Sequence, residues 1–277
     1  MCDVEAYFET RGEELVPTAH AAGHWADDSL SGRSVLGLAA WAFERALPDE
    51  EWLPARLTLD LVQMGRMAPV TVTTRTRRQG RTVEVVDLEF SQADRIVALV
   101  RGVATCAPTP PPGEAWGRDL RAGSVPADQL YLHPGQQMAL ATARGDFATA
   151  DFRSGVAAWS QDDQSAPSLC WMREHARVVA EHEETAYTRL GLLADVANSV
   201  VNWGRGGLQV INPDLTLAIS RLPTGDAVGL ETLERVLHGG TSVGVAAVHD
   251  EAGPVGLVSV TSVHQPVFSG ISAPAGS

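Results

Sequence analysis

Two long apolar stretches of helical character, each followed by runs of alternating strand pattern, set the layout of the chain. The first helix is expected over 34–47, with Ser34 as its N-cap and Pro48 as its stop. The second, over 190–201, is apolar on nearly every side, which marks a buried helix. Strand-like runs follow the first helix at 56–64, 70–78, 82–90 and 96–105, with turn signals at Gly65, Gln79-Gly80 and Ala93-Asp94. After the second helix they fall at 208–221, 227–237, 241–249 and 255–263, and weaker runs at 145–152 and 168–180 precede it. An opening strand and loop fill 8–28. Short connections imply antiparallel neighbours, and a long helix with such a meander is an α+β unit whose sheet must wrap the helix to bury it.

The pattern occurs twice. Leu36-Gly37-Leu38-Ala39-Ala40-Trp41 agrees with Leu190-Gly191-Leu192-Leu193-Ala194-Asp195 at four of six positions, 154 residues apart. Leu57-Thr58-Leu59 recurs as Leu215-Thr216-Leu217 at an offset of 158, and Gln79-Gly80-Arg81-Thr82 lies opposite His238-Gly239-Gly240-Thr241 at 159. A repeat of this length implies two packed domains rather than a solenoid. The boundaries read as an N-terminal unit over 1–106, a stiff linker over 107–129 that opens with Pro108-Thr109-Pro110-Pro111-Pro112-Gly113, and a C-terminal unit over 130–277. The tail from Ser269 is expected to be disordered.

A formal net charge of -13 argues against nucleic acid or an anionic membrane as partner, since either needs a basic face. Three scattered cysteines, Cys2, Cys106 and Cys170, suggest neither a zinc site nor a disulfide framework. The start of the chain is acidic, and no run reaches the length of a membrane span, so a cytoplasmic protein is expected.

Several motifs carry candidate chemistry. Gly240-Thr241-Ser242-Val243-Gly244 matches a nucleophile elbow with Asp250 and His264 after it, but the motif continues as a strand where an elbow needs a helix. The glycines of Trp203-Gly204-Arg205-Gly206-Gly207 follow a helix, so they are a helix stop and not a dinucleotide fingerprint. His20, His24 and Trp25 either line a pocket or sit on an exposed loop. Arg75, Arg77, Arg78 and Arg81 straddle the Gln79-Gly80 turn, where they either bind the phosphates of an anionic ligand or form a solvated hairpin end. Asp195 is the sharpest candidate, because a carboxylate within a buried helix is costly unless something pairs with it. Asn198, three residues on, shares its face.

The order and spacing of Leu193-Ala194-Asp195-Val196-Ala197-Asn198, Val210-Ile211-Asn212-Pro213-Asp214-Leu215-Thr216-Leu217 with Arg221-Leu222-Pro223, Ala55-Arg56-Leu57-Thr58-Leu59-Asp60 and Arg78-Gln79-Gly80-Arg81 resemble the acyl-CoA thioesterase II (TesB-like) family over nearly the whole chain outside the linker. That resemblance implies an α+β double hotdog: two tandem units, each a long helix wrapped by an antiparallel sheet. It also implies hydrolysis of acyl-CoA to a free fatty acid and CoA, by a water held between an Asp, a Thr and a Gln, with no metal or cofactor. Asp195 matches the Asp, while the Thr position falls on Asn212 and the Gln position on Thr261, so two of the three are substituted. Asn198, Arg78 and Arg81 are the expected substrate-binding residues, and a homodimer or higher homo-oligomer is the expected assembly. Against the other copy, Asp195 lies opposite Trp41, Asn212 opposite Pro54 and Thr261 opposite Gly102, so one working site per chain is expected, in the second unit. The alternative reading is a hotdog protein that binds acyl-CoA or an acyl-carrier ligand without hydrolysing it. A hotdog hydratase ranks third, because no Asp-x-x-x-x-His spacing follows a strand.

Overall fold

A computed structural model describes residues 5–23, 26–106, 109, 112–113, 139–141, 147–149, 169–203 and 208–265. Most of the linker, the tail, His24, Trp25 and the glycines at 204, 206 and 207 lie outside the described residues.

The first unit opens with β1 (Ala6–Arg11) and β2 (Glu14–Pro17), followed by a short 3₁₀ turn and α1 (Gly32–Arg45). The cap of α1 is Ser31 rather than Ser34. The Ser31 hydroxyl accepts the Ser34 N–H at 3.0 Å, so the helix starts two residues before the expected point. Four strands follow, β3 (Leu53–Leu61), β4 (Thr71–Gln79), β5 (Val83–Gln92) and β6 (Arg95–Thr105), of which the last three form a meander while β3 pairs with β6. A small pair, β7 (Ala139–Ala141) and β8 (Phe147–Thr149), precedes β9 (Leu169–Arg173) and β10 (Arg177–Val179).

The helix expected over 190–201 is divided into α2 (Ala186–Ala194) and α3 (Ala197–Asn202), with Asp195 and Val196 between them. The division is a local tightening of the spiral. Val196 N–H bonds the Leu193 carbonyl at 3.2 Å, an i to i+3 contact, and Val200 N–H to the Val196 carbonyl at 3.0 Å restores the usual spacing. Thr185 and Thr188 form a reciprocal capping box at the start of α2. The remaining strands are β11 (Val210–Ile211), β12 (Asp214–Ile219), β13 (Ala227–His238), β14 (Thr241–Asp250) and β15 (Gly253–His264).

One antiparallel sheet runs β4-β5-β6-β3-β12-β15-β14-β13-β9, with β11 also on β15. From β3 and β12 at its centre, the order is the same outward in both directions: β6, β5, β4 on one side and β15, β14, β13 on the other. The central pair places Leu57 opposite Leu217, Thr58 opposite Thr216 and Leu59 opposite Leu215, so the repeated triplet pairs with itself across a pseudo-two-fold axis. This is the α+β double hotdog that the resemblance implies.

The helices lie against one face of this sheet. Leu57, Leu59, Leu88, Leu215, Leu217 and Val260 point into a core shared with Leu36, Leu38, Leu190 and Leu192, all buried. Burying each such leucine contributes roughly 1.5–3 kcal/mol. The Leu-Gly-Leu repeat forms the contact between α1 and α2. A Cβ on Gly37 would lie 2.4 Å from Leu192 Cδ2, and one on Gly191 would lie 2.5 Å from Ala40 Cβ, so glycine lets the two helices approach this closely.

Candidate active site

The first N–H groups of a helix have no partner within it. At α1 the Ser31 hydroxyl takes up that of Ser34, and the Asp195 carboxylate comes in from the second unit to meet the turn beside it. A Cβ on Gly32 would lie only 2.6 Å from Asp195 Oδ1 and 2.9 Å from Oδ2, so this approach requires glycine at the first helical position. The charge and the backbone of Arg33, the next residue of α1, act on this carboxylate. Burial pushes its pKa up to about 6, a rise held in check by the Arg33 guanidinium and N–H. The residue keeps partial exposure.

Arg33 is buried at 6% exposure, and its guanidinium pairs with Glu174 in the turn between β9 and β10. Tyr7 on β1 donates its hydroxyl to Glu174 Oε2 at 2.8 Å, with the Arg33 guanidinium 5.5 Å from the centre of its ring. Glu174 Oε1 accepts the backbone N–H groups of His175 and Ala176, each at 2.9 Å. The site therefore combines a carboxylate, the positive end of a helix and a buried, clamped cation.

The expected site residues fare differently. Thr261 does not face the helices: on β15, Val258, Val260 and Ser262 are buried inward, and Thr261 alternates to the outer face. There its N–H and hydroxyl go to the Asp214 carboxylate at 2.7 and 3.3 Å. A register error of one residue exchanges the faces of a strand, and Ser262 is the inward polar group. Asn212 is half-buried at the junction of β11 and β12, and its amide donates to the Asp214 carbonyl at 3.2 Å.

Asn198 is buried on α3 and belongs to a closed network. Its Oδ1 accepts from Asn202 Nδ2 at 2.9 Å and from Ser262 Oγ at 2.8 Å, while Ser242 Oγ donates to Asn202 Oδ1 at 2.7 Å. Ser242 is thus committed to Asn202, Asp250 to Arg221 at 2.5 and 2.7 Å, and His264 to the Gln209 carbonyl, so no hydrolase triad forms among them. Arg78 and Arg81 are exposed at the β4–β5 hairpin, and their neighbour Arg77 is bound to Asp87 together with Arg101.

Gly32, Arg33, Glu174 and Tyr7 escaped the sequence reading. A signal existed for the first two: extended back from Leu36 at the offset of 154, the repeat sets Gly32 against Ala186 and Arg33 against Tyr187. At that second helix start the residue equivalent to Asp195 is not a carboxylate, although one from elsewhere on α1 reaches the cap residue Thr185. Trp41 stands there, its ring 5.3 Å from His182 and with Arg45 stacked 5.0 Å above it. Glu44, one turn on, accepts the Thr185 hydroxyl at 2.8 Å.

Family profiles described as acyl-CoA thioesterase N-terminal domain and acyl-CoA thioesterase C-terminal domain match residues 21–107 and 103–263. The chain belongs to the acyl-CoA thioesterase family. Solved structures agree on its fold. A tesB protein of Mycobacterium avium subsp. paratuberculosis superposes with a TM-score of 0.67 at 12% identity, covering 94% of this chain and 96% of that one. A hot dog fold protein of unknown function from Alicyclobacillus acidocaldarius gives 0.66 at 14%, covering 96% and 98%. The acyl-CoA thioesterase II TesB2 of Mycobacterium marinum gives 0.59 at 12%, covering 84% and 90%. No curated protein matches the chain by sequence. Among the described residues no helix is long and apolar enough to cross a membrane, and no cluster of side chains suits a metal ion.

Proposed function

We propose that this acyl-CoA thioesterase family member hydrolyses acyl-CoA to a free fatty acid and CoA at Asp195, by attack of a water on the thioester carbonyl. The observation that carries this reading is the Asp195 carboxylate set against the first turn of α1. An N–H group of that turn is suited to the carbonyl oxygen, where negative charge develops as water adds. Asp195, ionised above a pKa of about 6, takes the proton of the attacking water, and the C–S bond then breaks to release the CoA thiolate. Neither Thr261 nor Asn212 is a partner in this step, since both are engaged at Asp214. The exposed Arg78 and Arg81 suit the phosphates of the CoA nucleotide.

The test is thiol release from a panel of acyl-CoAs of different chain length. Asp195→Asn should abolish release while preserving acyl-CoA binding. Tight binding by the wild-type chain with no release at any length would favour the non-hydrolytic reading. Replacing Arg78 and Arg81 by Ala should raise KM with kcat nearly unchanged, the pattern of lost uniform binding. An equal loss with a short thioester lacking the nucleotide would count against a phosphate role.

A further inference from the structure

We propose that Asn198, Asn202, Ser242 and Ser262 are positioning residues: their buried network seats α3 on the sheet and thereby fixes where the helix breaks and where Asp195 points. The inference rests on Asp195 being the base of the site. The two halves of the broken helix lie on different beds. α2 rests on α1, where Gly191 admits Ala40 and Gly37 admits Leu192. α3 rests on β13, β14 and β15, where a Cβ on Gly244 would run into Val201 and the Val200 carbonyl accepts the Thr232 hydroxyl at 3.1 Å. Asp195 and Val196 form the joint between them.

Apolar contacts alone let a short helix turn or slide on a sheet, whereas mutually satisfied hydrogen bonds hold one arrangement. Asn202 is the hub of this set. Its Nδ2 donates to Asn198 Oδ1 at 2.9 Å and to Ser262 Oγ at 3.1 Å, and its Oδ1 accepts from Ser242 Oγ at 2.7 Å. Ser262 Oγ donates in turn to Asn198 Oδ1 at 2.8 Å, and the two serines face each other where β14 pairs with β15. All four side chains are buried, a cost in desolvation that only their bonds to one another offset, so stability alone is served as well by apolar residues. Backbone bonds carry the constraint from α3 to the joint: Val200 N–H donates to the Val196 carbonyl, and Val196 N–H donates to that of Leu193.

Among the described residues the first unit seats its helix without such a network. α1 runs unbroken over 14 residues, with Phe43 packed over Gly102 of β6. Counted from the matched central strands, Ser242 and Ser262 correspond to Glu84 and Ala104, which also face each other, and Glu84 Oε2 has no hydrogen-bond partner among the described residues. By the offset of 154, Asn198 lies opposite Glu44, whose carboxylate turns to the Thr185 hydroxyl at 2.8 Å. Network and break therefore occur together, in the unit that carries Asp195.

The experiment pairs turnover with a report on the carboxylate that needs no substrate. Gly32 lies against Asp195, so its amide and Hα NMR signals in the full chain register the carboxylate, and their displacement in Asp195→Asn calibrates the reading. Asn202→Leu keeps the bulk of the side chain and removes three hydrogen bonds, seven residues from Asp195. It should lower kcat by on the order of tenfold to a hundredfold, with KM changing much less, and should displace the Gly32 signals. The combined variant Asn198→Leu, Asn202→Leu, Ser242→Ala, Ser262→Ala leaves none of the four polar groups behind. It should regain the melting temperature that Asn202→Leu loses, and regain neither kcat nor the wild-type Gly32 signals. Wild-type kcat in folded Asn202→Leu overturns the proposal, as does a fall in kcat with unmoved Gly32 signals, or the return of kcat with stability in the combined variant. If Asn202→Leu does not fold, wild-type kcat or Gly32 signals in the combined variant overturn it equally. A wild-type chain that releases no thiol from any acyl-CoA refutes the enzymatic reading, while displaced Gly32 signals in Asn202→Leu leave the seating of Asp195 standing.

Discussion

Thr58 and Thr216 stand directly opposite each other where β3 meets β12, their Oγ atoms 3.2 Å apart. Each is the middle residue of a Leu-Thr-Leu triplet, and the pseudo-two-fold axis passes between them. The flanking leucines are fully buried, and the threonines face outward. The two units are therefore joined through continuous backbone pairing above one leucine layer.

That seam predicts equal damage on its two sides. Leu57→Ala and Leu215→Ala remove equivalent buried side chains, and each should cost about 2–5 kcal/mol. Urea unfolding followed by fluorescence and by circular dichroism should give a single coincident transition for wild type and variants. Two resolved transitions would show that the shared sheet does not couple the units.

The pKa of Asp195 predicts a stability effect with a definite sign. It is raised to about 6 in the folded chain, so the folded state resists ionisation and the associated stability is present at low pH and lost as pH rises through 6. Asp195→Asn, which cannot ionise, should match wild type near pH 4 and be more stable at pH 8, by up to about 3 kcal/mol for a shift of roughly two units. Melting temperatures across that range decide it. A variant less stable than wild type at pH 8 would mean that the ionised carboxylate contributes more by its bonds than it costs by its burial.

Much of this architecture was legible in the sequence because repetition and period depend only on residue type. The Leu-Gly-Leu and Leu-Thr-Leu repeats are the helix contact and the sheet seam, and Asp195 stood out as a charge in an apolar helix. What failed depended on register. Gly102 packs inward against Phe43 and pairs with Leu57, which makes Val260 its counterpart and turns Thr261 outward. Asp214 takes the Thr261 N–H with its side chain, next to a proline at 213 that has none to offer the ladder. Glu174 and Tyr7 were illegible for another reason: they reach Arg33 from 141 and 26 residues away, and no local pattern records such a meeting.

Gly32 should be as sensitive as Asp195 itself. A methyl group there would sit 2.6 Å from Oδ1, and either the carboxylate or the helix start must shift. Displacement of a catalytic group by about 1 Å can cost on the order of a hundredfold, so Gly32→Ala should lower kcat by about that factor, with KM changing much less. The comparison is Ala186→Gly at the equivalent position of α2, which should leave kcat unchanged. Similar turnover losses in both would show that the effect arises from helix stability.

Trp41 separates the two helix starts in the opposite sense. It is half-buried against His182 and Arg45, where an indole fills space and supplies a single donor. If the start of α2 performs no chemistry, Trp41→Ala should destabilise the fold by about 1–3 kcal/mol through lost packing. Turnover at Asp195 should stay within about twofold, since independent sites act additively. Trp41→Asp should create no second centre, because Ala186 would crowd a carboxylate and Tyr187 offers no positive charge. Measured with the same acyl-CoA panel, a loss of hydrolysis in Trp41→Ala comparable to that in Asp195→Asn would mean that both helix starts work, and the assignment of one site per chain would have to be abandoned.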